Sequence, residues 1–103
     1  MEFSGLDPRK HSIVSIGAVD FENPSRQFYK ECRIWHGAEI VPESLAICGF
    51  SEDEVKNPRK NTELVTTINF LEWMLPLDDR TFAGHNVFAD RDFLIARQVV
   101  LAS

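Results

Sequence analysis

The sequence predicts an α/β fold in which helices pack on a mixed sheet. Three observations predict it. Two runs rich in β-branched and apolar residues, SIVSIGAVDF (12–21) and QFYKECRI (27–34), flank the breaker ENPSR (22–26). A helical stripe, Leu64, Ile68, Leu71 and Leu75, follows. A short strand (81–85) and a second helix (88–101) then close the chain, restoring the strand-helix alternation.

Each element has a local reason. Residues 1–4 start as a strand fragment and enter the turn SGLDP at once, which leaves the first strand almost no body. Residues 12–21 form a strand expected to be covered on both faces. Residues 27–34 set Phe28, Lys30, Cys32 and Ile34 against Gln27, Tyr29, Glu31 and Arg33, a second strand antiparallel to the first and nearer an edge. Residues 35–41 connect. VPESLAICGF is a short helix, with Pro42 at its first position and Gly49 at its C-terminal cap. Ser51 and Glu54 have capping-box spacing, so SEDEVKN adds another turn or two before Pro58. Asn61 or Thr62 caps the helix over 62–75, and Pro76 stops it. Its apolar stripe is expected to face the sheet. In the last helix Phe93, Ala96 and Val100 form the inner face.

The chain has 103 residues, the length of one small domain. Such a domain buries about 60–70% of the surface its unfolded chain exposes. Its 44% hydrophobic and 26% charged residues are those of a folded globular chain rather than a disordered one. No apolar run reaches the roughly 18 residues of a membrane span, and the N-terminus lacks a signal-peptide pattern. Cys32 and Cys48 match no metal spacing and read as reduced thiols of a cytoplasmic protein. A net charge of −5 speaks against a broad basic face for nucleic acid. It leaves room for an enzyme that holds nucleic acid through divalent cations on an acidic cluster.

One stretch carries chemistry. In GHNVFAD, His85 and Asn86 close a strand, and Asp90 falls in the first turn of the following helix. The candidate partner for Asp90 is Glu2. MEFSGLDPRKHSIVSIGAVDF resembles the first motif of the DEDD superfamily of 3′–5′ exonucleases, the ribonuclease H-like group that includes polymerase proofreading subunits and oligoribonucleases. Glu2 takes the Glu place of Asp-x-Glu, Phe3 and Ser4 the next two, Gly5 and Leu6 the Gly-Leu, and SIGAV the strand that follows. VPESLAICGFSEDEV is similar to the segment after the family's hairpin, and FAGHNVFADRDFL to its second motif, with Asn86 and Asp90 four residues apart. Three motifs in register span nearly the whole chain.

The resemblance implies a ribonuclease H-like mixed sheet and a two-metal 3′–5′ exonuclease acting on a single-stranded DNA or RNA 3′ end. It implies Glu2 and Asp90 as catalytic carboxylates and ligands of Mg²⁺ or Mn²⁺. Phe3, Ser4, Leu6, His85 and Asn86 are implied around the substrate. The residue types suit the task, because two such cations need hard oxygen ligands. Carboxylates ~5 Å apart repel by about 3 kcal/mol at an effective dielectric near 20, which divalent cations offset.

The family uses four carboxylates and this chain offers two. The first motif's Asp would precede Met1, and the third motif, with its Asp and a His or Tyr base, would follow Ser103. Residues 1–103 are therefore expected to be a partial exonuclease domain, inactive alone; a degenerate, non-catalytic interaction module is the alternative. A polymerase partner and self-association stay open. Bland readings stand beside the sharp ones. Glu2 can be a solvated terminal carboxylate and Asp90 a helix-dipole residue. His85 and Asn86 can be capping residues, and Phe3 can be core rather than a stacking platform. Asp92 should be solvent-exposed, and His11 and His36 are expected in surface loops.

Overall fold

The computed structural model describes residues 1–76 and Phe93. A four-stranded mixed sheet is flanked by helices. In chain order the elements are β1 (Glu2–Phe3), β2 (Ile13–Val19), β3 (Gln27–Arg33), α1 (Pro42–Cys48), α2 (Glu52–Val55), β4 (Asn61–Thr62) and α3 (Glu63–Met74). The strand order is β1-β2-β3-β4. β2 is antiparallel to both β1 and β3, and β4 runs parallel to β3. Ser15 is the hinge of the register, lying opposite Glu2 on one side and Glu31 on the other.

Local signals set the helix ends. Pro42 opens α1, where its missing N–H costs nothing, and Gly49 closes it with φ 79°, a left-handed conformation that favours glycine. Ser51 and Glu54 form the reciprocal capping box that starts α2. The Thr62 hydroxyl accepts from the Val65 N–H at the start of α3.

The core has two parts. Phe3, Ile13, Ile16, Phe28, Cys32, Phe70, Met74 and Phe93 form the larger, with Trp73 against it. Phe28 meets Phe70 and Trp73 at ring-centroid separations of 5.5 and 6.1 Å, and the Arg26 guanidinium lies 4.9 Å over the Trp73 ring. Val14, Leu45 and Val55 form the smaller, under α1 and α2.

Three expectations are corrected. The stripe Leu64, Ile68 and Leu75 is exposed and Leu71 only half-buried; α3 instead turns Glu63, Thr66, Thr67, Phe70 and Met74 inward. Those five positions also recur at helical spacing; Glu63 meets Ser12, just before β2, and Phe70 meets Phe28 on β3. β2 is covered on both faces only over its first four residues, since Gly17 and Val19 are exposed. His11 is buried, not a surface residue.

Candidate functional site

β1 is two residues long because Ser4 leaves the strand to tie three segments together. The Ser4 N–H donates to the Ser12 carbonyl (2.9 Å), and its carbonyl accepts from the Val41 N–H (2.7 Å). Its hydroxyl donates to the Glu39 carbonyl (2.8 Å) and accepts from the Ser12 N–H (2.9 Å). Ser4 is fully buried, and all of its polar groups serve the fold. Phe3 is buried as well, its ring stacked on Phe93 with centroids 4.1 Å apart.

Between these anchors Glu2 is half-buried at the sheet margin. The Ser15 hydroxyl donates to Glu2 Oε1 at 2.9 Å. That contact follows from the register, because Glu2 and Ser15 face each other across an antiparallel pair. Cys48, at the end of α1, lies beside the same carboxylate. Burial pushes its thiol up, and the Glu2 carboxylate pushes it further the same way. Glu2 thus presents a carboxylate with partial solvent access, and carboxylate oxygen is the kind of group that Mg²⁺ or Mn²⁺ takes as a ligand. Among the described residues no group of three or more His, Cys, Asp or Glu side chains is placed to hold a metal ion.

Two further carboxylates of the described residues are held by polar neighbours. Glu31 accepts from Lys60 Nζ (2.8 Å) and from the Tyr29 hydroxyl (3.0 Å), and Lys60 holds its carboxyl below the usual range. Glu63 is buried and accepts from the Ser12 hydroxyl at 2.6 Å. Burial, and then the nearby Glu63 charge, push the buried Cys32 thiol up to about 12.

The structure therefore puts Glu2 at an accessible margin, Phe3 and Ser4 in the interior, and Leu6 in the open at 66% exposure. His85, Asn86, Asp90 and Asp92 lie outside the described residues. Sequence reasoning missed Ser15 and Cys48 as neighbours of Glu2. Counting back from the turn at residues 5–11 would set Glu2 opposite Val14; a register shift between Glu2 and Phe3 brings Ser15 there instead, and nothing local relates Cys48 at the end of α1 to β1. No family model matches the chain, and no curated protein matches it.

Proposed function

We propose that this chain carries part of a 3′–5′ exonuclease domain of ribonuclease H-like type. Its substrate is the 3′ end of single-stranded DNA or RNA. Glu2 and Asp90 are its catalytic carboxylates, and Mg²⁺ or Mn²⁺ its ions. When bound, the metals supply a hydroxide nucleophile and neutralise the charge on the transferring phosphoryl group. Glu2 serves as an oxygen ligand whose other oxygen is steadied by Ser15. The observation that carries this reading is the Phe3–Phe93 stack. Phe3 directly follows Glu2, and Phe93 lies three residues after Asp90 in the sequence, so the stack joins one residue of each motif segment. The buried Phe3 favours a core role for that side chain over a stacking platform.

The test is trimming of a 3′-labelled single-stranded oligonucleotide. The 103-residue chain should show negligible activity, because two carboxylates leave two hard cations mostly to water. A chain extended to supply an Asp before Met1 and a third motif should trim with Mg²⁺ or Mn²⁺ and stop with chelator. In it Glu2→Ala or Asp90→Ala should each lower the rate by about 100-fold or more. Unimpaired trimming by either variant refutes the roles assigned. The exposed apolar residues Leu64, Val65 and Ile68 on α3 and Leu75 at its C-cap favour a second reading, a non-catalytic interaction module. Metal-independent partner capture with no trimming in the extended chain would select it.

A further inference from the structure

The turn between β1 and β2 is built around one imidazole. The His11 N–H donates to the Asp7 carbonyl at 2.8 Å, and its ring Nδ1 accepts from the Asp7 N–H at 3.0 Å. The buried ring lies against Gly5, where a Cβ would stand 2.4–2.6 Å from three of its atoms. Only a neutral imidazole can accept at Nδ1. The imidazolium carries a hydrogen on both nitrogens, which would set two N–H groups pointing at each other. The closed turn therefore selects the neutral ring, and its closure weakens as the pH falls through the titration of that ring.

The surrounding charges leave this to the ring. The connection over 35–41 is fastened to the turn by the Trp35 indole N–H to the His11 carbonyl (3.3 Å) and the Glu39 N–H to the Lys10 carbonyl (2.7 Å). The charged and titratable side chains on the packed segments are Asp7, Arg9 and Lys10 on the turn, His36 and Glu39 on the connection, and Glu63, which reaches the adjacent Ser12 from α3. Asp7 is the carboxylate of the turn that could receive an imidazolium, but its Oδ1 accepts from the Arg9 N–H at 3.0 Å and from Arg9 Nε at 3.4 Å. The Arg9 N–H, first of all, holds the Asp7 carboxyl below its usual range. Asp7 thus keeps its charge across the window of about pH 5 to 8 that belongs to imidazoles. The ends of the turn are tied without the ring, by the Ser4 N–H to the Ser12 carbonyl and the Ser12 N–H to the Ser4 hydroxyl, both 2.9 Å. Loss of the ring's bond is thereby confined to the turn.

We propose that His11 is an acid-released latch: its neutral ring closes the turn at residues 5–11, and its protonation opens that turn while the sheet stays paired. The latch stands on the turn's own geometry and is independent of the exonuclease reading. The test reads the unaltered 103-residue chain by NMR. Long-range ¹H–¹⁵N correlation at neutral pH should find Nδ1 unprotonated and Nε2 protonated. The Asp7 amide protection factor, corrected for intrinsic exchange, should fall by about tenfold or more between about pH 7.5 and about pH 5, while amides paired between β2 and β3 stay within about threefold. The midpoint of that loss should coincide with the titration of the His11 ring resonances and not with that of the exposed His36. His11→Asn supplies an acceptor at the same reach that does not titrate, so its Asp7 protection should hold within about threefold over the same range. Gly5→Ala removes the seat of the ring and should leave Asp7 unprotected at both pH values. Should a variant fail to fold, the wild-type measurements decide. A hydrogen on Nδ1 at neutral pH, wild-type Asp7 protection that ignores pH, a midpoint that follows His36, or loss of protection throughout β2 and β3 at the same midpoint overturns the latch. So does a folded His11→Asn chain that loses Asp7 protection with the wild-type pH dependence.

Discussion

At Ser4 one hydroxyl does two jobs, and its removal leaves the buried Ser12 N–H without that partner and breaks a half-buried bond to the Glu39 carbonyl. An unsatisfied buried polar group costs ~1–3 kcal/mol, so Ser4→Ala should destabilise the fold by about 2 kcal/mol or more, read from denaturant midpoints. A loss below ~0.5 kcal/mol would mean that Ser4 is free to serve a substrate instead. Cys32 gives a pH dependence whose sign can be worked out. Its thiol is raised from an ordinary 9.0 to about 12 in the fold. The folded state therefore holds the proton more tightly than the unfolded chain. The contribution is fully present below about pH 9 and is lost as pH climbs through the folded value, at up to about 1.4 kcal/mol per unit from this group. Stability should fall between pH 9 and 11 in the wild type and fall less steeply in Cys32→Ala. Equal slopes would show that the thiol is not sequestered. Alkylation should then reach the half-buried Cys48 first, with Cys32 modified only on unfolding.

α3 is where the elements teach most. Two stripes on this helix have helical spacing, one of leucine and isoleucine and one of Glu63, Thr66, Thr67, Phe70 and Met74. Hydrophobicity alone picks the first. The sheet takes the second, because the Ser12 hydroxyl accommodates Glu63 and the Phe28 ring accommodates Phe70. Phe70→Ala should cost ~3–5 kcal/mol, and Ile68→Ala under ~1 kcal/mol. The reverse order would restore the hydrophobic stripe to the core. Thr67 adds a finer test, since its buried hydroxyl has no hydrogen-bond partner among the described residues. Thr67→Val keeps the shape and removes the hydroxyl, so it should be neutral or stabilising by up to ~1 kcal/mol. What was legible follows the same division. The capping box at Ser51 and Glu54, the Pro42 and Gly49 ends of α1, the antiparallel hairpin and the start of α3 at Thr62 could be read, because their causes lie within a few residues. The Ser12–Glu63 and Ser4–Glu39 contacts join residues 51 and 35 apart, and no local pattern announces them. At the candidate site Glu2 could be singled out, but the burial of Phe3, Ser4 and His11 depends on which segments close over them.

For the whole molecule the deciding quantity is charge. The chain carries 16 acidic against 11 basic residues, and among the described residues four of the cations sit against carboxylates. Lys60 sits on Glu31, Lys56 on Glu52, Arg26 near Asp20 and Arg9 on Asp7. Glu2 has a serine hydroxyl and a thiol beside it, and the N-terminal ammonium is close enough to act on the same thiol. If Asp90 joins Glu2, the two like charges repel and folding must bear that repulsion. A divalent cation that binds only the folded pair then stabilises by RT ln(1 + [L]/Kd), about 1.4 kcal/mol at ten times Kd, or roughly 6–11 °C in Tm for a domain of this size. Mg²⁺ or Mn²⁺ at millimolar concentration should therefore raise Tm above that in NaCl of equal ionic strength, and chelator should reverse it. Glu2→Gln and Asp90→Asn should each abolish the divalent increment, and each should raise Tm slightly in its absence, because the repulsion is gone. That double signature separates a shared site from general screening of an acidic surface, which moves Tm alike in wild type and variants. An increment that survives in both variants would leave Glu2 a half-buried terminal carboxylate and nothing more.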